Sequence, residues 1–132
     1  MHVNAEPYPD ILATAEKLLA DDCTLDRYGK IPTAAALETG YAIGGAWCPG
    51  WSVSLASVHY DNEAVARKLA LWIQQQPSNV RYFGSWTDKG CVYFDGVTIE
   101  DDYIAAVLLG FERGEKAIYS FETAKCIVLK ED

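Results

Sequence analysis

The chain has 132 residues, 50% of them hydrophobic and 23% charged, with a formal net charge of -8. That length and composition give one domain with a buried core and exclude a disordered segment rich in charge. The acidic balance opposes direct binding to nucleic-acid phosphates, which relies on Lys and Arg displacing counterions, and no apolar run approaches the roughly 18 residues of a membrane span.

A single domain over 1–132 is therefore expected. It divides into an N-terminal helical segment at 9–40, a first ββα unit at 41–79, a second at 80–116 and a C-terminal hairpin at 117–132. Residues 1–8 read as a lead-in. From Pro9 the apolar residues Ile11, Leu12, Ala15, Leu18 and Leu19 recur with helical spacing, and Asp21-Asp22 closes that helix. Cys23 to Pro32 mixes charge, Gly29 and Pro32 and reads as a loop. Thr33 to Thr39 predicts a short helical turn with Thr33 as N-cap and Gly40 as a left-handed cap.

Tyr41–Trp47 and Trp51–Val58 predict a hairpin around Cys48-Pro49-Gly50. Trp51, Val53 and Leu55 alternate with Ser52 and Ser54, the period of a strand with one wet face. Asp61 opens a helix to about Gln76, whose apolar face is Val65, Leu69, Trp72 and Ile73. Val80–Trp86 and Cys91–Val97 predict a second hairpin across Asp88-Lys89-Gly90. Thr98 or Glu100 then starts a third helix with Ile104, Val107, Leu108 and Phe111 as its buried stripe and Gly114 as its cap. Ala117–Phe121 and Lys125–Leu129 complete a last hairpin. Each helix has one apolar stripe and each hairpin one apolar face, which predicts an α+β domain: a largely antiparallel sheet of about three hairpins with helices on one face.

The two ββα units echo one another at a gap-free shift of 39 positions. Gly84, Trp86, Val92 and Val97 fall on Gly45, Trp47, Val53 and Val58, and Ile104, Leu108 and Phe111 on Val65, Leu69 and Trp72. Agreement through both strands and the helix predicts a duplicated unit. Trp47 and Trp86, equivalent in the echo, read as core residues. Trp51 has no aromatic counterpart and is the better candidate for a specific contact.

Among residues that carry chemistry, the four cysteines Cys23, Cys48, Cys91 and Cys126 stand singly, which favours reduced, mostly buried thiols. Cys48 alone falls on a turn. His59 and Asp95 form a carboxylate–histidine pair only if the fold brings them together, and a helix-start role explains His59 equally well. His2 lies too near the terminus to weigh. Gly44-Gly45 reads as a bulge in a strand. No phosphate loop, dinucleotide fingerprint, metal-binding pattern or serine-nucleophile motif occurs, so neither cofactor nor metal is expected. The acidic groups at Asp61–Glu63 and Glu100–Asp102 belong at helix starts.

The segments Tyr82-Phe-Gly-Ser-Trp86, Gly90-Cys-Val-Tyr-Phe-Asp95 and Lys116-Ala-Ile-Tyr119 with Thr123 resemble a module of small proteins from actinobacteria, their phages and plasmids. Those proteins carry Gly-x-Trp, Gly-x-Val-Tyr-x-Asp and Ala-Ile-Tyr or Ala-Ile-Phe in the same order. The likeness covers the C-terminal third, with Cys91 where the module has Lys and Ser120 where it has Asp. It implies no activity, only the setting of a mobile-element accessory protein.

The sequence thus predicts a non-enzymatic protein-interaction module that contacts its partner through a sheet face or hairpin turns. Trp51, Tyr93, Asp88 and Asp95 are the candidate contact residues. Its partner is expected to be another protein or a second copy pairing through a sheet edge, without direct nucleic-acid or membrane binding. The start Met1-His-Val-Asn-Ala-Glu-Pro, with no basic segment before an apolar one, predicts a cytoplasmic location. An acidic inhibitor of a host nucleic-acid-binding system is a sharper form of this reading. A small enzyme using Cys48 or His59 with Asp95 is the alternative.

Overall fold

The structure, a computed structural model, describes residues 6–46 and 50–130. Among the described residues, five helices and seven strands follow one another as α1 (Pro9–Ala20), β1 (Thr24–Asp26), α2 (Ala34–Thr39), β2 (Tyr41–Ile43), β3 (Trp51–Ser54), α3 (Leu55–Tyr60), α4 (Asn62–Gln75), β4 (Tyr82–Asp88), β5 (Cys91–Glu100), α5 (Tyr103–Glu112), β6 (Ala117–Ser120) and β7 (Lys125–Val128). The strands form one antiparallel sheet in the order β1-β4-β5-β2-β6-β7, with β3 also paired to β5. The fold is α+β, as the alternation of strand and helix patterns predicts.

The organising strand is β5. One of its edges pairs along 91–97 with β4, through a tight turn in which Lys89 and Gly90 both have positive φ, the geometry that matches strand twist. Its other edge takes β3 at 91–94 and β2 at 98–100. Thus β2 and β3 are not the two arms of a hairpin, as the Pro-Gly between them suggests; they lie end to end along the same neighbour. The chain also leaves the strand pattern early. Ser54 Oγ accepts the Ser57 amide and caps α3, so 55–60 is helical where the echoed positions 94–99 are strand.

Other boundaries move for local reasons. Thr24–Asp26 is a short edge strand beside β4 rather than loop, with Leu25 opposite Phe83. Asp102, not Thr98 or Glu100, caps α5 by accepting the Ala105 amide, because β5 runs on to Glu100 to pair with β2. Asp61 accepts the Ala64 amide and caps α4, and Thr33 caps α2 as predicted. Gly40 has φ -78 and is not a left-handed cap; a Cβ there would stand 2.5 Å from the Ala36 carbonyl oxygen. Gly114, at φ +69, does end α5 in the left-handed region.

The register puts Val92, Phe94 and Thr98 of β5 on one face, and α1, α4 and α5 cover that face. Ile11, Ala15 and Leu18 of α1 and Leu69, Ala70 and Ile73 of α4 pack with Phe83, Val92 and Phe94. A second cluster joins Ile43, Ala106 and Ile118 beneath α5. Two polar side chains stitch the first cluster together. The buried Thr14 hydroxyl lies 2.9 Å from the Arg27 carbonyl. Arg27, in the stretch read as loop, donates to the carbonyls of Pro77 and Val80 at 2.9 and 3.0 Å and rests over the Phe83 ring.

Of the stripe predicted to bury α5, Val107 packs on the cluster beneath the helix, but the other three residues face outward. Ile104, Leu108 and Phe111 are 66%, 63% and 55% exposed, whereas Ala106 and Gly110 are buried. The reason is close approach: a Cβ on Gly110 would stand 2.4 Å from Leu129 Cδ1 and 3.0 Å from Ile118 Cγ2. The helix lies so near the sheet that Ala106 and Gly110 take the closest approach, with Val107 and Leu109 packed at its margins. Among the described residues, no helix is long and apolar enough to cross a membrane.

Candidate functional site

On the sheet face away from α1 and α4, cross-strand register aligns three pairs along β4 and β5: Tyr82 with Val97, Gly84 with Asp95, and Trp86 with Tyr93. Trp86 and Tyr93 stack with ring centroids 4.6 Å apart and planes 22° from parallel. Trp86 is 48% exposed, so it is a surface residue and not the core residue its place in the echo predicts. On the far side of β5, Trp51 tilts against Phe94 at 5.4 Å. Trp51 and Phe94 belong to the core face, and on the other face a cleft of about 210 Å³ is lined by Gly50, Ser52, Trp86, Tyr93 and Asp95, with residues 51 and 94 passing beneath it.

Of the four predicted contact residues, Tyr93 and Asp95 share the cleft's face, while Trp51 borders it but turns its ring to Phe94 and the core. The fourth, Asp88, is exposed at the tip of the β4–β5 turn and does not line the cleft. Trp47 and Cys48 lie outside the described residues.

The Asp95 carboxylate is lodged between glycines. A Cβ on Gly50 would stand 2.8 Å from its Oδ1, and a Cβ on Gly44 would stand 3.1 Å from its Oδ2 and 2.6 Å from Glu115 Oε1. Two carboxylates thus flank Gly44, their nearest oxygens at most about 6 Å apart by these same distances. Burial holds the Asp95 carboxyl above the usual carboxylate range. Burial, and then the charge of Asp95, raises Glu115, against the opposing pull of Arg113 and Lys130. Neither Gly44 nor Glu115 stands out in the sequence as a neighbour of Asp95. A glycine pair at a strand end was the available signal: Gly45 takes φ +73 and ends the β2 ladder, and Ala46 resumes pairing by donating to the Gly96 carbonyl. Arg113 secures this region by donating to the carbonyls of Ile43 and Gly44 at 3.1 and 3.0 Å and to Thr98 Oγ1 at 2.7 Å.

His59 lines a different, larger cleft of about 620 Å³ with Asp21, Asp22, Leu55, Val58 and Thr87. There Asp22 accepts both the backbone amide and the hydroxyl of Thr87, at 3.0 and 2.8 Å. His59 and Asp95 do not share a cleft. Cys23, Cys91 and Cys126 are free thiols. None of the three is fully buried: β5 turns the half-buried Cys91, and β7 the exposed Cys126, away from the core, while Cys23, just before β1, packs only partly against it. Burial, ahead of the charges of Asp21 and Asp22, raises the Cys23 thiol, while a hydrogen bond with Ser85 and the charge of Lys17 lower it, the reverse of an activated nucleophile. Among the described residues, no group of three or more His, Cys, Asp and Glu is placed to hold a metal ion.

The second surface feature is α5. At about 100° per residue, Ile104, Leu108 and Phe111 fall within about 60° of one another, opposite Ala106 and Gly110. Tyr103, 51% exposed, lies apart from this stripe, near the angle of Gly110, and packs edge-on to Tyr41 with ring centroids 5.7 Å apart. Asp101 and Asp102 border the stripe at one end and Glu112 along one side, all exposed. No family model, curated protein or solved structure matches the chain.

Proposed function

We propose that the protein is a protein-binding module that docks its partner on the outward stripe of α5. The observation that carries the reading is the exposure of Ile104, Leu108 and Phe111 on a helix whose opposite side is already packed on the sheet. A helix apolar on all sides is normally buried on all sides. Contiguous exposed apolar residues with a polar border mark interaction surfaces.

Magnitudes decide what kind of partner this is. Covering three large side chains that are each more than half exposed gains about 4 kcal/mol gross, at roughly 1.5–3 kcal/mol for a complete burial. Association costs roughly 4–15 kcal/mol before any affinity appears. The stripe alone does not hold a partner, so its acidic border has to contribute. The partner is a protein presenting apolar side chains flanked by Lys or Arg, and a second copy, carrying the same acids, is disfavoured. An acidic inhibitor of a basic, nucleic-acid-binding protein is a case of this reading. The enzyme alternative has less support, since His59 and Asp95 line separate clefts.

The test compares wild type with Leu108→Ser/Phe111→Ser. A basic protein that wild type captures from lysate, that binds one-to-one when purified, and that the double variant loses fits the proposal, with affinity falling as salt rises. Equal binding by the double variant would refute it. A wild-type mass by light scattering twice that of the chain, halved in the variant, would make the stripe a self-association surface instead.

A further inference from the structure

We infer that the cleft beside Asp95 is a binding site for an alkylammonium head group. The ligand class follows from four observations. The stacked rings of Trp86 and the half-buried Tyr93 supply aromatic surface on the same sheet face as Asp95, and negative ring faces attract organic cations. Asp95 supplies a carboxylate at the edge of those rings, and among the described residues no hydrogen bond or ion pair reaches it. Glu115 stands behind Gly44 as a second negative charge, shared with Arg113 and Lys130. No lysine or arginine is among the described residues that line the cleft.

The space around Asp95 is kept open by residues without side chains. Gly84 is its cross-strand neighbour, and a methyl group on Gly44 or Gly50 would run into the carboxylate. Burial of part of the Asp95 carboxylate disfavours its charge, and a cation in the cleft offsets that cost. At about 210 Å³ the cleft is below the roughly 300–1,000 Å³ of sites that take a drug-sized ligand, so it suits a head group and not a whole molecule. Rings in place of oxygen ligands disfavour a hydrated metal ion, which wants carboxylates, carbonyls and water. A methylated ammonium, with its charge spread over methyl groups, meets both the rings and the carboxylate. This inference is independent of the α5 stripe and stands or falls separately.

The experiment is a tryptophan-fluorescence and calorimetric titration of the full chain with choline chloride, replacing sodium chloride at a constant ionic strength of about 0.15 M, where exposed charges are already screened. The control ligand is 3,3-dimethylbutan-1-ol, the uncharged isostere of choline. Saturable choline binding at least tenfold tighter than the alcohol is expected. Asp95→Asn should remove that difference, and Trp86→Ala, at a half-exposed position that does not threaten folding, should weaken choline at least fivefold. A short peptide carrying trimethyllysine distinguishes the sources: tighter binding than choline indicates a head group on a side chain, equal binding a free amine, and either keeps the site. No saturable change across the titration, equal binding of the alcohol, or choline affinity unchanged in a folded Asp95→Asn variant would overturn the inference.

Discussion

Gly110→Ala tests how close α5 lies to the sheet, because two large effects oppose each other there. In a helix interior, replacing Gly by Ala gains about 1 kcal/mol from propensity. Against this, the new methyl would lie 2.4 Å from Leu129 Cδ1 and 3.0 Å from Ile118 Cγ2, where carbon contacts settle at about 3.5–4.0 Å. Leu129, half-buried just beyond β7, has to swing away by about 1 Å or more and lose contacts. Ile118 has little room to give: it is 2% exposed, β-branched and opposite Ile127 in the sheet. Overpacking of this kind costs about 1–3 kcal/mol, so the net expectation is a loss of about 1 kcal/mol in urea unfolding. In a Leu129→Ala background the nearest obstacle is gone, and the same substitution should become neutral or stabilising. Stabilisation of about 1 kcal/mol in the wild-type background would refute the close approach and, with it, the outward placement of the large residues.

Three further outcomes follow from the same geometry. Asp22→Ala removes two hydrogen bonds that fasten the turn after α1 to Thr87 and should cost about 1 kcal/mol in the same unfolding assay, while Asp10→Ala, which only begins a helix, should cost less. Because Asp95 and Glu115 both have raised carboxyl groups in the folded state, the stability they confer is complete below the unfolded carboxylate range near pH 4 and falls as pH rises through the folded values. The urea midpoint of wild type minus that of Asp95→Asn should therefore decline between about pH 4 and neutrality; a rising difference would contradict the burial of Asp95. With iodoacetamide followed by mass spectrometry of the native protein, Cys126 should react first and Cys23 last among Cys23, Cys91 and Cys126, since Cys126 is exposed and Cys23 half-buried with a raised thiol. Rapid modification of Cys23 would count against the placement of α1 over β4.

Elements with strong local periodicity were legible in the sequence. Helices α1 and α4, the β4–β5 turn with its Gly90, and the β6–β7 hairpin stand where their residues predict, because one polar and one apolar side gave contrast. Helix α5 has no such contrast. Ala105, Ala106 and Gly110 on one side and Ile104, Leu108 and Phe111 on the other are all non-polar, and choosing the larger residues as core picks the wrong side when backbone proximity selects the smaller. The placement of β2 and β3 was hidden for another reason. Their partner, β5, is more than 35 residues away, and a local Pro-Gly turn signal outweighs a pairing that no short window contains. The same non-local pairing brings Trp51 to the border of the cleft that holds Tyr93 and Asp95, so these residues were legible by type while their placement was not. Glu115 arrives there only because α5 folds back over β2.

The central claim is that Leu108 looks outward from α5 and contributes to binding but not to folding. Equilibrium urea unfolding of monomeric Leu108→Ser tests it most directly. Substitution at a solvent-facing position should leave the unfolding free energy within about 0.5 kcal/mol of wild type. A loss of about 2–5 kcal/mol, the range for truncating a buried leucine, would place Leu108 in the core and contradict the account.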